Sequence, residues 1–186
     1  MPSPTLSQFW WMTPIQFLAA LTAGFNSGAT GLQAPLTMPI LELSSIPAVY
    51  RGKQLRHLLT ASDKFFPKLN AVSTLSNLVL GVICFLKRKE SRVASEKWKF
   101  LVLAFGLNFG TTVFTLGYMA RLNDLLRELA RKIEVDPSDG VAERRFGETQ
   151  VLWKRGANFR TVIMTSAAAV SIYTLYLDGK YLGMPM

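Results

Sequence analysis

No lysine, arginine, aspartate or glutamate occurs between Met1 and Leu41. Over the whole chain charged residues make up 18%, against about 25% in soluble domains. There is one cysteine, Cys84, and one histidine, His57. A lone cysteine excludes an internal disulfide, and one His with one Cys cannot build a zinc site from those residue types alone. A two-histidine iron triad is excluded within one chain, although a single histidine could serve as one axial haem ligand. The glycine loops that cradle phosphates and dinucleotides, and the nucleophile elbow of hydrolases, have no counterpart: GxGxxG, GxxxxGK[ST] and GxSxG are all missing. No residue is assigned to a metal, and no cofactor is expected beyond molecular oxygen.

What the sequence does contain is long apolar runs. A bilayer core of about 30 Å is crossed by roughly 17–25 mostly apolar residues in a helix. The uncharged stretches 69–86, 100–120 and 161–177, with the uncharged N-terminal run, give four expected spans at about 14–34, 69–86, 100–120 and 161–177. The fold expected is all-α, an integral-membrane four-helix bundle, in one membrane domain over 1–186 with a long loop at 121–157, in which "ARLNDLLREL" (120–129), with Asn123 and Asp124, opens a cytosolic or interfacial amphipathic helix. The first twelve residues lack the basic n-region of a secretory leader, so the first run is expected to stay as a span. The net charge is +9. Its basic residues flank the spans, as in "LKRKESR" (86–92) and "LWKRG" (152–156), which fits anionic lipid headgroups better than nucleic acid. Counting basic residues near the span ends favours the 48–68 and 121–157 side as cytoplasmic, while "KRKESR" argues for the other side.

Read at helical spacing, every expected span carries a stripe of small and polar residues. These are Gln16, Ala20, Ala23, Ser27, Thr30 and Ala34 in the first, and Asn70, Ser73, Thr74, Asn77 and Gly81 in the second. Asn108, Thr112, Thr115 and Met119 form the third, and Arg160, Met164, Ala167 and Ser171 the fourth. Lipid offers no hydrogen bonds, so these stripes should turn inward. Close helix packing accounts for the small and hydroxyl residues. A polar internal pocket accounts for them and also for Asn70, Asn77 and Asn108, whose amides need several partners each. The stretch "FNSGATGLQAPLTMPIL" (25–41) is too broken for a lipid-facing helix. Pro35 and Pro39 should end or kink it, and residues 26–41 are expected to wall a cavity near one membrane face.

Among titratable groups, His57 suits proton transfer near neutral pH. Asp63 lies six residues on, about 240° around a helix, so the two do not share a face. In "WKRGANFR" (153–160), Trp153 and Arg160 are seven apart and do share one. Arg160 either snorkels to headgroups or turns inward with Asn158 to bind an anionic oxygen, for which a guanidinium is suited.

A Ser/Gly-rich first span ending in "SGATGLQAP", a segment "RHLLTASDKFFP" and a last span entered by "WKRGANFR" resemble the fungal anthrone oxygenase-like family of small four-span membrane proteins. The resemblance covers most of the chain in layout. It implies oxidation of an anthrone to an anthraquinone with molecular oxygen, in polyketide secondary metabolism. Under it, His57 would be the base and Asp63 its orienting partner. Arg160 and Asn158 would be oxyanion donors, with Trp153, Ser27 and Asn108 in the substrate site and Phe109, Phe114 and Met119 lining a flat slot. The implied partners are an aromatic polyketide substrate and the lipid bilayer, with no nucleic acid. A second copy of the chain is a further candidate, and the implied location is the endoplasmic reticulum or a related endomembrane. A non-enzymatic membrane scaffold is the rival. A small-solute transporter ranks below both, because no inverted repeat is visible and no buried charge pair is expected.

Overall fold

A computed structural model describes residues 12–43 and 45–181. The reading of residues 1–11 as part of a retained first span lies outside them. Among the described residues the chain is all-α, with no strand. Helix α1, Met12–Leu32, runs into a π-helical turn, Gln33–Thr37, and then into the short α2, Met38–Leu41. Helix α3 is Ala48–Leu86. Helix α4, Arg92–Phe114, passes through a second π-turn, Thr115–Met119, into α5, Ala120–Val135, and α6 is Gly140–Tyr181.

Three helical stretches are long and apolar enough to cross a membrane: Ala48–Leu86, Arg92–Val135 and Gly140–Asp178. Helix α1 is not among them, because Asn26, Ser27, Thr30 and similar residues dilute its apolar content. Many large apolar side chains on the helices are exposed, Leu86, Leu116 and Val162 among them, as expected of surfaces whose solvent is lipid.

The stretch expected as a loop, 121–157, is helical except around residues 136–139. In α5 the apolar residues recur at Leu126, Leu129 and Ile133, all buried, while its charges occupy the other face. That pattern makes the amphipathic helix expected to open the stretch. Asp139 starts α6 by accepting hydrogen bonds from the backbone N–H groups of Val141 at 3.0 Å and Ala142 at 2.9 Å, the N-cap arrangement. Pro35 cannot donate to the carbonyl four residues earlier, and the π-turn begins just there. Pro39 is tolerated in the first turn of α2, where the missing N–H is not needed.

The single domain expected from chain length divides into two compact units. The first comprises Met1–Ser27, Lys68–Thr111 and Ile163–Met186, and the second Gly28–Pro67 and Thr112–Val162. Within the first, the stripe amides are buried and bonded across helices. Asn108 Nδ2 donates to Ser73 Oγ at 3.1 Å, and Asn70 Nδ2 to the Asn108 carbonyl at 3.1 Å. Asn77 Nδ2 lies 3.4 Å from both Ser73 Oγ and Ser171 Oγ. The first unit also holds what the sequence reading did not expect, a buried ion pair. Lys97, 2% exposed, donates to Asp178 Oδ1 at 2.5 Å and to Gln16 Oε1 at 2.6 Å. Gln16 Nε2 in turn donates to Thr174 Oγ1 at 2.5 Å. Lys97 belongs to a dense basic stretch in sequence, but it is two turns into α4 and faces α1 and α6.

In the second unit, Leu55, Leu59, Leu126, Leu129, Ile133 and Phe146 form the core. Gly52 brings α3 against α5 so closely that an added Cβ would lie 3.2 Å from Ala130 Cβ and 3.3 Å from its Cα. Arg56 and Lys53 both reach Glu134, at 3.0 and 3.4 Å. These bridges are solvent-screened and contribute about 0–1 kcal/mol each.

Removing one partner of a buried pair strands the other charge, at a cost of about 3–5 kcal/mol. Lys97→Met is therefore expected to lower thermal stability in detergent strongly. The double variant Lys97→Met/Asp178→Leu should recover most of the loss, because both desolvation costs vanish with the pair. Additive effects of the two substitutions would contradict the coupling.

Candidate active site

The second unit gathers charged and polar side chains from three helices. Asp63 of α3 pairs with Arg127 of α5 through a short contact between carboxylate and guanidinium. Asn123, one turn earlier on α5, is buried. Its Nδ2 lies 3.5 Å from Asp63 Oδ1, and its Oδ1 accepts from Trp153 Nε1 at 2.8 Å. Trp153 enters from α6 and is 3% exposed. Indole, amide, carboxylate and guanidinium thus form one hydrogen-bonded chain. Arg160 stands two turns further along α6, half-buried, and Asp63 is near enough to act on it electrostatically. Its Nε is buried without a hydrogen-bond partner. Arg127 also pairs with Asp124 at 3.1 Å, so it is shared by two carboxylates, while Arg160 keeps a buried donor to spare.

The backbone around this cluster is irregular. Pro67 sits inside α3 and has no N–H to donate to the Asp63 carbonyl four residues earlier. Both π-turns belong to this unit, and such turns concentrate at functional sites. Next to the second, Gly156 of α6 faces Met119 and Tyr118: an added Cβ would come within 2.5 Å of Met119 Sδ. Phe114 stacks on Tyr118 at 5.3 Å and meets Phe159 edge-on at 5.1 Å, an aromatic group beside the start of that turn. At the other end, Lys154 holds both oxygens of Glu42, at 3.1 and 2.8 Å.

The residues singled out from sequence distribute unevenly. Asp63, Trp153 and Arg160 come together. His57 does not join them: it is exposed on α3, about 240° around the helix from Asp63, and among the described residues it makes no hydrogen bond. Asp63, expected to orient His57, instead faces Arg127 and Asn123. Asn158 is exposed, so it does not stand beside Arg160 as an inward donor. Ser27 and Asn108 belong to the first unit, where Ser27 Oγ bonds Thr165 Oγ1 at 2.7 Å and Asn108 bonds Ser73. Phe109 is 53% exposed and lines no slot in its unit, whereas Met119 is buried. Arg127 was missed, and its spacing three residues after Asp124, in a helix of balanced charge, resembles an ordinary surface pair. Among the described residues no three side chains of His, Cys, Asp or Glu converge, so no residue is assigned to a metal.

The family model described as anthrone oxygenase matches residues 55–170, which takes in every residue of the Asp63 cluster. The chain belongs to the anthrone oxygenase family. No curated protein matches it, and no solved structure does. The family's name points to an oxygenase.

Asn123 both accepts from Trp153 and donates towards Asp63. Asn123→Leu would leave the buried indole N–H unsatisfied, at about 1–3 kcal/mol. The expected outcome is a lowered thermal midpoint together with a shift in tryptophan emission. Trp153→Phe in the same background should cost little more, because the donor is already stranded.

Proposed function

We propose that this protein is a membrane enzyme that oxidises an anthrone to an anthraquinone with molecular oxygen, acting on an aromatic polyketide in secondary metabolism. The observation that carries the reading is Arg160, a guanidinium with an unpartnered buried Nε near enough to Asp63 to feel its charge, inside the family-matched region.

The chemistry fits those groups. The methylene carbon of an anthrone lies between two aryl rings and opposite a ketone. Loss of a proton from it sends the electron pair through the rings to the ketone oxygen. Arg160 donates to that developing oxyanion, as preorganised donors do in the most effective sites. Asp63 is the carboxylate within reach of the same charge and takes the proton. The carbanion then passes electrons to molecular oxygen and forms a carbon–oxygen bond, giving a hydroperoxide at the former methylene. Loss of the second proton from that carbon, with cleavage of the O–O bond and departure of hydroxide, leaves a second ketone. Anthrone and O₂ become anthraquinone and water, with one oxygen atom in each product. The electrons come from the substrate, so the reaction balances without a reductant.

Trp153 and Asn123 hold the carboxylate in place, and Phe114, Tyr118 and Phe159 offer flat apolar contact to a ring system. His57 makes no side-chain contact with the cluster among the described residues, whereas Asp63 bonds Arg127 and lies against Asn123, so the proton-accepting role goes to Asp63. A lipid bilayer as surroundings, an endomembrane location and a second copy of the chain as partner belong to the same reading. The three long apolar helices are compatible with its first element.

Membranes containing the protein should consume one O₂ per anthrone, faster than the spontaneous reaction. Arg160→Leu and Asp63→Asn should each lower the rate about 100-fold or to the blank, while His57→Ala keeps at least half of it. A rate equal to the blank for the intact protein, with its fold retained, would favour a scaffold role instead. A collapse in His57→Ala would return the base to that residue.

A further inference from the structure

The C-terminal end of α1 and the π-turn after it contribute two polar groups to the second unit that nothing among the described residues satisfies. Thr30 is 1% exposed and Gln33 is 6% exposed. They lie three residues apart and so share a helix face. Thr30 Oγ1 and Gln33 Oε1 are buried without hydrogen-bond partners. A threonine hydroxyl in a helix ordinarily bonds a carbonyl of the preceding turn, as Thr22 does to Leu18 at 2.7 Å, but Thr30 does not. Leaving one such group dry costs about 1–3 kcal/mol, and two together on one face are hard to explain as packing.

Their surroundings connect them to the cluster. Gln33 Nε2 donates to Ser62 Oγ at 3.1 Å, and Ser62 immediately precedes Asp63. Gly31, between the two residues, approaches Thr161 so closely that an added Cβ would lie 3.1 Å from its Cγ2, and Thr161 immediately follows Arg160. Thr30 and Gln33 therefore border the α3 and α6 segments that carry Asp63 and Arg160. Gln33 also opens the first π-turn, which fixes its side chain at a break in the regular ladder. Both residues precede the family-matched region, which begins at residue 55.

We infer that Thr30 and Gln33 form a substrate-selecting ledge that binds the ring hydroxyls of a phenolic anthrone and favours it over an unsubstituted one. The inference rests on the proposed oxidation for the identity of the ring system. A hydroxyl on the ring beside the ketone is a donor and an acceptor at once. Gln33 Oε1 accepts its proton, while the Thr30 hydroxyl rotates to donate or accept. An anthrone without hydroxyls leaves both groups dry, which is the situation in which a site discriminates most sharply.

The test uses the full-length protein in membranes, with 1,8-dihydroxyanthrone and unsubstituted anthrone as substrates. The corresponding 1,8-dihydroxyanthraquinone and 9,10-anthraquinone are binding probes, read by quenching of tryptophan emission. Thr30→Val and Gln33→Leu should each reduce the preference for the hydroxylated compound by about tenfold, through KM rather than kcat. Thr30→Val removes an unsatisfied hydroxyl, so it should fold at least as stably as the parent, which separates lost recognition from lost structure. Equal preference in parent and both variants, by turnover and by binding, overturns the inference. A binding preference that disappears in the variants, with turnover at the blank rate throughout, upholds the ledge and instead overturns the oxidation.

Discussion

Polar side chains removed from water have only one another to bond, and in this protein that constraint decides where each helix must sit. In the first unit the amides of Asn70, Asn77 and Asn108 reach Ser73, Ser171 and a neighbouring carbonyl, and these contacts fix helical register more sharply than apolar packing could. A one-residue slip of α3 would rotate Ser73 by about 100° and strand three of them together. In the second unit the same constraint selects an amide at position 123. A carboxylate there would lack a donor towards Asp63, and an aliphatic chain would lack the acceptor for Trp153.

The Asp63 cluster is left incomplete in its hydrogen bonds by the same logic. Arg127 is shared by Asp63 and Asp124, while Arg160 feels Asp63 and keeps a buried Nε without a partner among the described residues. A buried donor without an acceptor is costly, and an incoming oxygen would relieve that cost. Under the proposed oxidation the relief grows as charge develops on that oxygen, which is the condition for accelerating a reaction rather than merely binding a molecule. The helices holding these groups deviate from regularity near them, at Pro67 and at the turn that begins at Thr115. The polar chain is thus built where the backbone ladder is already interrupted.

The inward stripes were legible because a 3.6-residue period survives any arrangement of helices. Gln16, Ala20, Ala23, Ser27, Thr30 and Ala34 are all buried, as are Asn70, Ser73 and Asn77. Of the connection at 121–157 only the opening was legible as helix, from the balanced charges of "ARLNDLLREL", which is where α5 lies. The remainder has fewer apolar residues, so a rule tuned to uncharged runs reads it as loop. Lys97 was hidden in the same way. A lysine in a basic stretch reads as interfacial, and only its partners Gln16 and Asp178, each 81 residues away, reveal it as buried. Asp63 and Arg160 were found but assigned other neighbours, because spacing along one helix cannot show which second helix brings a partner. Arg127, the neighbour Asp63 has, lies 64 residues on.

The extent of the family match bears on how labour is divided within the second unit. Residues 55–170 supply Asp63, both guanidiniums and the indole–amide support, the groups to which the proposed oxidation gives proton removal. Helix α1 and its π-turn precede that region, yet Gly31 packs on Thr161 and Gln33 bonds Ser62. A reaction common to a family needs the same charge pattern in each member, whereas the substituents on its ring system differ from one substrate to another. Groups that touch only substituents are free to vary without disturbing the proton and electron flow. A helix contributed from outside the shared region is where such variation costs the chemistry least, and that is where the two unsatisfied polar atoms of Thr30 and Gln33 lie.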